Sequence, residues 1–302
     1  MGDASIFVVL PKVSSRQHPP ASSSTYRSSI IMATRATKSP ARHAEPAPPK
    51  DRQFVTALAR GLQILGCFTV SQPELSGSEI AKLTGLPQPT VWRLCHTMLE
   101  LGTLVAVAGD KMRPGMGALR LGYSAVAGLS ITELAYPHMQ ERATQFGAAC
   151  GLATRDKLDM VFVERREGRN QLLLNLRVGS AVPIASSALG WAYLAGLKST
   201  ERTEVIKEIR TDNPELWNQV KREFNKALTE YSSSGYIMNA GAFHKAYNTV
   251  AVPIVRQDGS IPYVLNCGSA VATVSERVFR KSVAPKLMDL AQMLESILRE
   301  RD

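Results

Sequence analysis

The sequence predicts an α+β protein of two domains, and three observations lead to that prediction. The 302-residue chain is long enough for two cores and a terminal tail. Residues 54–114 combine three stretches of helical apolar spacing with a hairpin signal. Residues 131–302 run from strands to long helices and back to strands, an order typical of an antiparallel sheet with helices packed against it.

The first 53 residues are predicted to form a disordered basic tail. They are rich in Ser, Pro and Ala and hold eight basic residues against three acidic ones, about half of the formal net charge of +10. Such a segment buries too little apolar surface to fold. Its composition also fits an organellar transit peptide, and Met32 offers a third interpretation, a true start at that residue.

Three helices are predicted in residues 54–101. The first, over residues 54–69, carries an apolar stripe that is expected to be buried: Leu58, Leu62, Leu65 and Phe68. Ser76 and Glu79 fit a capping box at the start of the second helix, and Gly85 supplies a left-handed turn at its end. The third helix begins after Pro87 and runs to about Leu101, because proline in a first turn loses no needed hydrogen bond.

The third helix has two different faces. Its core face is expected to hold Val91, Leu94, Cys95, Met98 and Leu101. The opposite face offers hydrogen-bonding side chains with one arginine: Gln88, Thr90, Trp92, Arg93, His96 and Thr97. A small Ala81 four residues before Gly85 matches the spacing of a helix-turn-helix. The pattern predicts that this face, together with Ser76, contacts DNA.

A wing is predicted from two short strands, residues 104–107 and 111–113, around a turn at Gly109. Lys111 and Arg113 are placed to contact phosphates, which holds register without reading sequence. Residues 54–114 would then form a winged helix-turn-helix domain. The alternative is a small helical subdomain with solvated charges, since the local charge balance is only weakly positive.

The remaining chain is predicted to form a linker helix and a larger domain. The linker helix covers residues 115–130 and is suited to join subunits. The predicted elements of the larger domain are a helix at 131–146, strands at 148–154, 160–164 and 172–178, a charged helical stretch at 199–230 interrupted by Pro214, strands at Tyr236, 249–255 and 263–269, and an amphipathic helix at 275–301.

These motifs, taken in order, resemble the IclR family of bacterial transcription regulators. The resemblance extends from about Ala57 to Leu298 and is carried by residues 58–65, 83–87, 90–94, 99–102, 235–236, 250–254 and 265–266. It implies a winged helix-turn-helix joined to a GAF-like effector-binding domain with an antiparallel sheet. It also implies a homodimer, with a homotetramer as the larger alternative.

The resemblance places the effector-binding residues at Ala188, Leu189, Asn239, Thr249, Asn266 and Gly268. A helix that opens at Ala188 presents free amides, which favour a carboxylate. The sequence departs from the family at Asn239, where Asp is common, and at Trp191, which either walls the pocket or packs against it. Gln88 and Pro89 also depart from the commoner pair, so the operator sequence does not follow from relatives.

The predicted function is ligand-responsive DNA binding in transcription regulation, in the bacterial cytoplasm on nucleoid DNA. A dimer would place two third helices in successive major grooves about 34 Å apart, on a near-palindromic operator. A small organic acid in the second domain would shift the protein between DNA-competent and incompetent states. No membrane partner is expected, because no apolar run approaches the roughly 18 to 20 residues that span a bilayer.

Two other functions are weighed against this one. An enzyme would use Cys267 as nucleophile and His244 as base, but no acid to orient His244 is evident. Strand alternation instead turns Cys267 to the face opposite Asn266, as buried filler. An interaction module without a ligand is the third function. Scattered cysteines and histidines predict no disulfide, metal site or cofactor.

Overall fold

The computed structural model describes residues 53–69, 72–168 and 174–299. The predicted tail lies outside the described residues except for Gln53. By its internal contacts the chain divides into two compact units between Arg120 and Leu121. Within the described ranges, no helix combines the length and the apolar character that a membrane crossing requires.

The first unit holds three helices and a three-stranded antiparallel sheet. Its elements are α1 (Thr56–Leu65), β1 (Leu75–Ser76), α2 (Gly77–Thr84), α3 (Gln88–Glu100), β2 (Leu104–Val107) and β3 (Lys111–Pro114), with sheet order β1-β3-β2. The predicted second and third helices and the wing hairpin are confirmed. β1 was not predicted, because two residues are too few to show strand alternation.

The core of the first unit corrects two predictions. Its buried side chains are Ile64, Cys67, Leu75, Ile80, Val91, Cys95, Met98 and Leu104. Leu58 and Leu62 are 62% and 60% exposed, so the predicted stripe of the first helix is wrong for them. Two apolar stripes compete on this short helix, and the one that contains Ile64 packs inward. Leu101, the residue at the C-terminal cap of α3, is 69% exposed, so its predicted place on the core face is wrong.

The turn between α2 and α3 follows the predicted local signals. The Ser76 amide donates to Glu79 Oε2 over 2.7 Å, and the Glu79 amide donates to Ser76 Oγ over 3.3 Å. The backbone hydrogen bond from Ser76 is the largest cause that lowers the pKa of Glu79. Gly85 ends α2 at a φ of 70°, where a Cβ is disfavoured. The cap and the glycine together fix where α3 begins.

A linker helix and a six-stranded sheet follow. The linker helix α4 (Met116–Ala127) buries none of its residues. The other elements are α5 (Ser130–Phe146), β4 (Ala149–Asp156), β5 (Asp159–Glu167), β6 (Ala181–Pro183), α6 (Ala188–Gly196), α7 (Ser199–Asp212), α8 (Pro214–Ser234), β7 (Ile237–Ala240), β8 (Tyr247–Ile254), β9 (Tyr263–Ala270), α9 (Glu276–Val278), a π-helical turn (Phe279–Val283) and α10 (Ala284–Arg299). All strand pairs are antiparallel, in the order β6-β5-β4-β9-β8-β7, which confirms the predicted α+β class.

Two predicted elements of this unit differ from the structure, and one predicted break is confirmed. The described part of the predicted strand at 172–178, residues 174–178, is not a strand, and β6 pairs with β5 instead. Residues 172 and 173 lie outside the described ranges. The predicted interruption at Pro214 is confirmed, since α7 ends at Asp212 and α8 starts at Pro214, where Asn213 caps it by accepting from the Leu216 amide over 3.0 Å. The predicted carboxy-terminal helix is interrupted by the π-helical turn.

The two faces of the large sheet pack against different helices. One face packs against α6 and α8 and includes Phe162, while the other packs against α5 and α10 and includes Cys267. Strand β5 contains a bulge, since Leu152 pairs with Glu164 whereas Ala153 pairs with Phe162. The extra residue restarts the alternation of side chains along β5. Phe162 and Arg165, three residues apart, therefore lie on the same face.

Replacement of Gly85 by alanine is expected to lower the free energy of unfolding by roughly 1 kcal/mol, because a Cβ disfavours its positive φ. No neighbouring atom would meet that Cβ. The control is Gly61→Ala within α1, which is expected to raise the free energy of unfolding by about 0.5 to 1 kcal/mol. Urea unfolding monitored by circular dichroism measures both. A Gly85→Ala protein as stable as the wild type would contradict the role of this turn.

Candidate DNA interface and effector site

The exposed face of α3 carries the predicted polar side chains. All six are exposed except Thr90, which is half-buried. Trp92 is 68% exposed, and its ring centroid lies 5.5 Å from that of His96 at an interplanar angle of 39°. Gln88, Trp92 and His96 follow one another at intervals of four residues and so form one stripe on the helix. This stripe offers amide, indole and imidazole groups for hydrogen bonding.

A groove of about 670 Å³ lies between this stripe and the wing. Its lining includes Gly77, Ser78, Gln88, Trp92, Cys95, His96, Ala106, Gly109, Lys111 and Met112. The start of α2, the exposed stripe of α3 and the wing hairpin therefore border one concave surface. Ser78, which the sequence analysis did not select, is part of it.

The basic side chains of the first unit differ in their exposure and in whether they already interact with an acidic residue. Arg93 is exposed and forms no ion pair with another described residue. Arg113 is exposed, whereas Lys111 is half-buried and its charge helps to lower the pKa of Glu79. The hydroxyl of Ser76 lies 2.9 Å from Glu79 Oε2 and is part of the helix cap. Arg93 is thus the basic side chain of α3 that is accessible to a binding partner. A DNA contact by Ser76 stays a prediction.

The six predicted effector residues lie in one buried layer of the second unit. Asn239 pairs with Thr249, and Thr249 pairs with Gly268, across three neighbouring strands. Asn266 precedes Gly268 by two residues and so faces the same side of the sheet. Ala188 opens α6, which packs against this face together with Leu189. All six are buried.

The start of α6 presents free backbone donors to this layer. The Ser187 hydroxyl accepts from the Gly190 amide over 3.1 Å. The amides of Ala188 and Leu189 have no hydrogen-bond partner within the described part of the chain. Gly190 permits a close approach, since a Cβ there would lie 2.2 Å from the Cα of Ile184. An anion is the group that such a helix start favours.

Two of the positions that depart from the family pattern have structural partners. Asn239 Nδ2 donates to the Ser186 carbonyl over 2.9 Å, and its Oδ1 accepts from the amides of Ala242 and Phe243. Trp191 is buried, and its Nε1 donates to the Ala185 carbonyl over 2.7 Å. Trp191 packs in the core on this face of the sheet, and a wall of the effector pocket formed by Trp191 stays a prediction. Asn239 joins β7 to the segment before α6.

Arg165 is the residue of this layer that the sequence analysis missed. It is 9% exposed and pairs across the sheet with Gly151, which in turn pairs with Asn266. Its charge partly offsets the burial that raises the pKa of Tyr247 to about 12. The predicted strand ended at Glu164, and nothing in the sequence indicated the bulge that turns Arg165 inward.

Cys267 lies on the opposite face of the sheet, as predicted. Cys150 Sγ donates to Cys267 Sγ over 3.3 Å, and this contact together with burial raises the pKa of Cys267 well above its usual value. A buried, protonated thiol is a poor nucleophile. His244 Nδ1 accepts from the Ala246 amide over 3.3 Å in the β7–β8 loop. Neither contact activates Cys267 as the nucleophile of the alternative enzymatic function.

Comparisons with known proteins agree with both units. The IclR helix-turn-helix domain matches residues 57–107, and the C-terminal domain of the bacterial transcriptional regulator IclR matches residues 123–296. The HTH-type transcriptional regulator TsaQ1/TsaQ2 of Comamonas testosteroni is 32% identical over 250 residues, which are 82% of this chain and 89% of that protein.

Solved structures agree as well. An IclR family transcriptional regulator from Brucella abortus is 37% identical, with a TM-score of 0.71 over 82% of this chain and 94% of that chain. An IclR homolog from Microbacterium hydrocarbonoxydans, solved with 4-hydroxybenzoate, shares the fold at 23% identity, with a TM-score of 0.63 over 80% of this chain and 98% of that chain.

The matched regions follow one another in the order that the residues predicted, a helix-turn-helix first and the sheet domain second. The C-terminal match alone covers more than half of the chain. This chain therefore belongs to the IclR family of bacterial transcriptional regulators, DNA-binding proteins whose second domain binds an effector.

Proposed function

We propose that this regulator binds a near-palindromic operator as a dimer, with α3 of each copy in successive major grooves. The observation that carries the proposal is the division of α3, which buries Val91, Cys95 and Met98 and exposes its hydrogen-bonding side chains. That exposed face contacts base edges, and Lys111 and Arg113 of the wing contact phosphates. The operator lies in the bacterial cytoplasm, where the protein acts.

An unpartnered apolar face on α1 supports the dimer. Leu58 and Leu62 of α1 are 62% and 60% exposed and lie four residues apart on one side of the helix, and Phe54 and Val55, which precede α1, are each 62% exposed. The linker helix α4 also exposes several large apolar side chains: Met116, Leu119, Leu121 and Tyr123. Soluble monomers rarely leave such contiguous apolar surface in water. A second copy of the chain covers both faces in the proposed dimer, and a tetramer is the larger alternative.

The proposed effector is a small organic acid in the buried layer under α6. Support comes from the free amides of Ala188 and Leu189, and from the neutral polar groups of Thr249 and Asn266 in the same layer. The Microbacterium structure with an aromatic acid fits this chemistry. Binding shifts the protein between DNA-competent and incompetent arrangements through differential affinity, with α4 as the connection between the units.

Arg93→Ala is expected to weaken operator binding by about tenfold to a hundredfold, since a base contact by arginine contributes roughly 1 to 3 kcal/mol. Fluorescence anisotropy with labelled DNA from upstream of the protein's own gene measures the affinity. The control is Arg210→Ala on α7, an exposed arginine of the second unit, which should leave the affinity unchanged. Equal affinity of Arg93→Ala and wild type would remove α3 as the reading helix.

Leu58→Glu is expected to convert the dimer to a monomer, because it places a charge in the apolar face of α1. Size-exclusion chromatography with light scattering, without DNA, reports the mass and separates dimer from tetramer. The matched control is Leu83→Glu on α2, where the leucine is 48% exposed and lies outside that face. An unchanged mass for Leu58→Glu would place the dimer interface elsewhere.

A further inference from the structure

We propose that the effector is a hydroxy-carboxylic acid, whose carboxylate pairs with Arg165 and whose hydroxyl donates to Asn266. The inference rests on the effector site proposed above and names the chemical class that the site takes. It is carried by two buried polar atoms that have no hydrogen-bond partner among the described residues, Arg165 Nη2 and Asn266 Oδ1. One atom is a donor and the other is an acceptor.

Arg165 has more charge than its surroundings neutralise. Its side chain is 4% exposed, and among the described residues its guanidinium pairs with the carboxylate of Glu167, whose Oε1 lies 3.4 Å from Arg165 Nε. The same oxygen lies 2.8 Å from Nη1 of Arg177, so that carboxylate is shared. A hydrogen bond from Arg165 also helps to lower the pKa of Tyr247 against the effect of burial. Burial of an incompletely paired cation is costly. A carboxylate on a bound molecule would supply the missing partner for Nη2.

Asn266 lies beside Arg165 on the same face of the sheet. Both residues pair with Gly151, one from β9 and the other from β5. Neighbouring strands are about 4.8 Å apart, so the two backbones are separated by roughly 10 Å. The Phe162 ring and the Asn266 amide both pack over Gly151, since a Cβ there would meet the ring and would lie 2.5 Å from Asn266 Oδ1. The free acceptor of Asn266 therefore lies beside the Phe162 ring, on the sheet face that also carries Arg165.

The two unpartnered atoms together require a ligand with two different functional groups. A carboxylate accepts hydrogen bonds from a guanidinium but has no hydrogen to donate to an amide oxygen. A hydroxyl group on the same molecule can donate a hydrogen bond to Asn266 Oδ1. Phe162 adds an apolar wall, since its ring centroid lies 5.3 Å from Arg165 Cζ.

The next residue along the strand provides a matched control. Arg166 pairs with Cys150 and so faces the other side of the sheet. Its Nη2 lies 2.9 Å from Glu164 Oε1, and its Cζ lies 3.8 Å from the ring centroid of Tyr136. Arg166 is thus an arginine of the same strand that does not face the effector layer; its Nη2 is paired, and its Nε, like Arg165 Nη2, has no hydrogen-bond partner among the described residues.

Calorimetric titration of the full chain tests the proposal with two series of probes at constant ionic strength. One series is 4-hydroxybenzoate, benzoate and 4-hydroxybenzamide, and the other is lactate, propionate and lactamide. The hydroxy acid of at least one series is expected to bind more tightly than its parent acid and its amide. Arg165→Gln should weaken that binding by about tenfold to a hundredfold, as expected for a charge-assisted hydrogen bond.

The remaining variants separate a direct contact from a structural effect. Arg165→Lys should restore part of the affinity because it keeps the charge. If Arg165→Gln does not fold, Arg165→Lys is compared with wild type in its place. Arg166→Gln should bind like wild type. Asn266→Ala should bind the hydroxy acid and its parent acid equally. The inference is overturned if no hydroxy acid binds beyond a sodium chloride control, or if Arg165→Gln and Arg166→Gln bind alike.

A gel-shift assay with the upstream DNA distinguishes this inference from the proposed function. Arg165→Gln is expected to bind the operator as wild type does, while losing the response to the hydroxy acid. If operator binding is intact in every variant and the hydroxy acid has no effect on wild type, the inference fails and the DNA-binding function stands. Absence of operator binding by wild type would instead count against the proposed function.

Discussion

A sheet covered on both faces leaves no water for the polar side chains that point inward, so each of them needs a partner in the protein or in a bound molecule. Most of the buried polar groups under α6 meet this requirement internally. Asn239 bonds to Ser186 and to the following loop, and Trp191 bonds to Ala185. In this layer the requirement is unmet at one atom each of Arg165 and Asn266. In the proposal above, these are the two atoms that the ligand contacts.

The helix-turn-helix was predictable because its signals are local. The cap at Ser76 and the positive φ at Gly85 depend on a few consecutive residues, and the structure has both as predicted. Burial on α1 was not predictable in the same way. That helix is apolar on two sides, and only its packing partners decide that Ile64 is buried and Leu58 is exposed. Arg165 was missed for a third reason, because alternation counted along β5 does not show the bulge.

The exposed face of α3 carries more neutral hydrogen-bonding groups than charged ones. On the exposed face of α3, Arg93 accompanies neutral polar groups and the Trp92–His96 pair. On the wing, Lys111 lies close enough to Glu79 to lower the pKa of that carboxylate. In the proposed function, long-range attraction to DNA comes largely from other basic residues, of which eight precede residue 54. Recognition of a DNA sequence and attraction to the polyanion would then involve different parts of the chain.

The bulge in β5 also bears on how lengths are compared between homologous chains. Val163 is the extra residue, and the residues on either side of it keep regular pairing with β4. A homologue without a counterpart of Val163 would keep the residues equivalent to Phe162 and Arg165 opposite the same partners, since removal of the extra residue restores simple alternation. A one-residue gap at this point of an alignment therefore indicates a difference in strand geometry. The residues equivalent to Phe162 and Arg165 would face α6 in both chains.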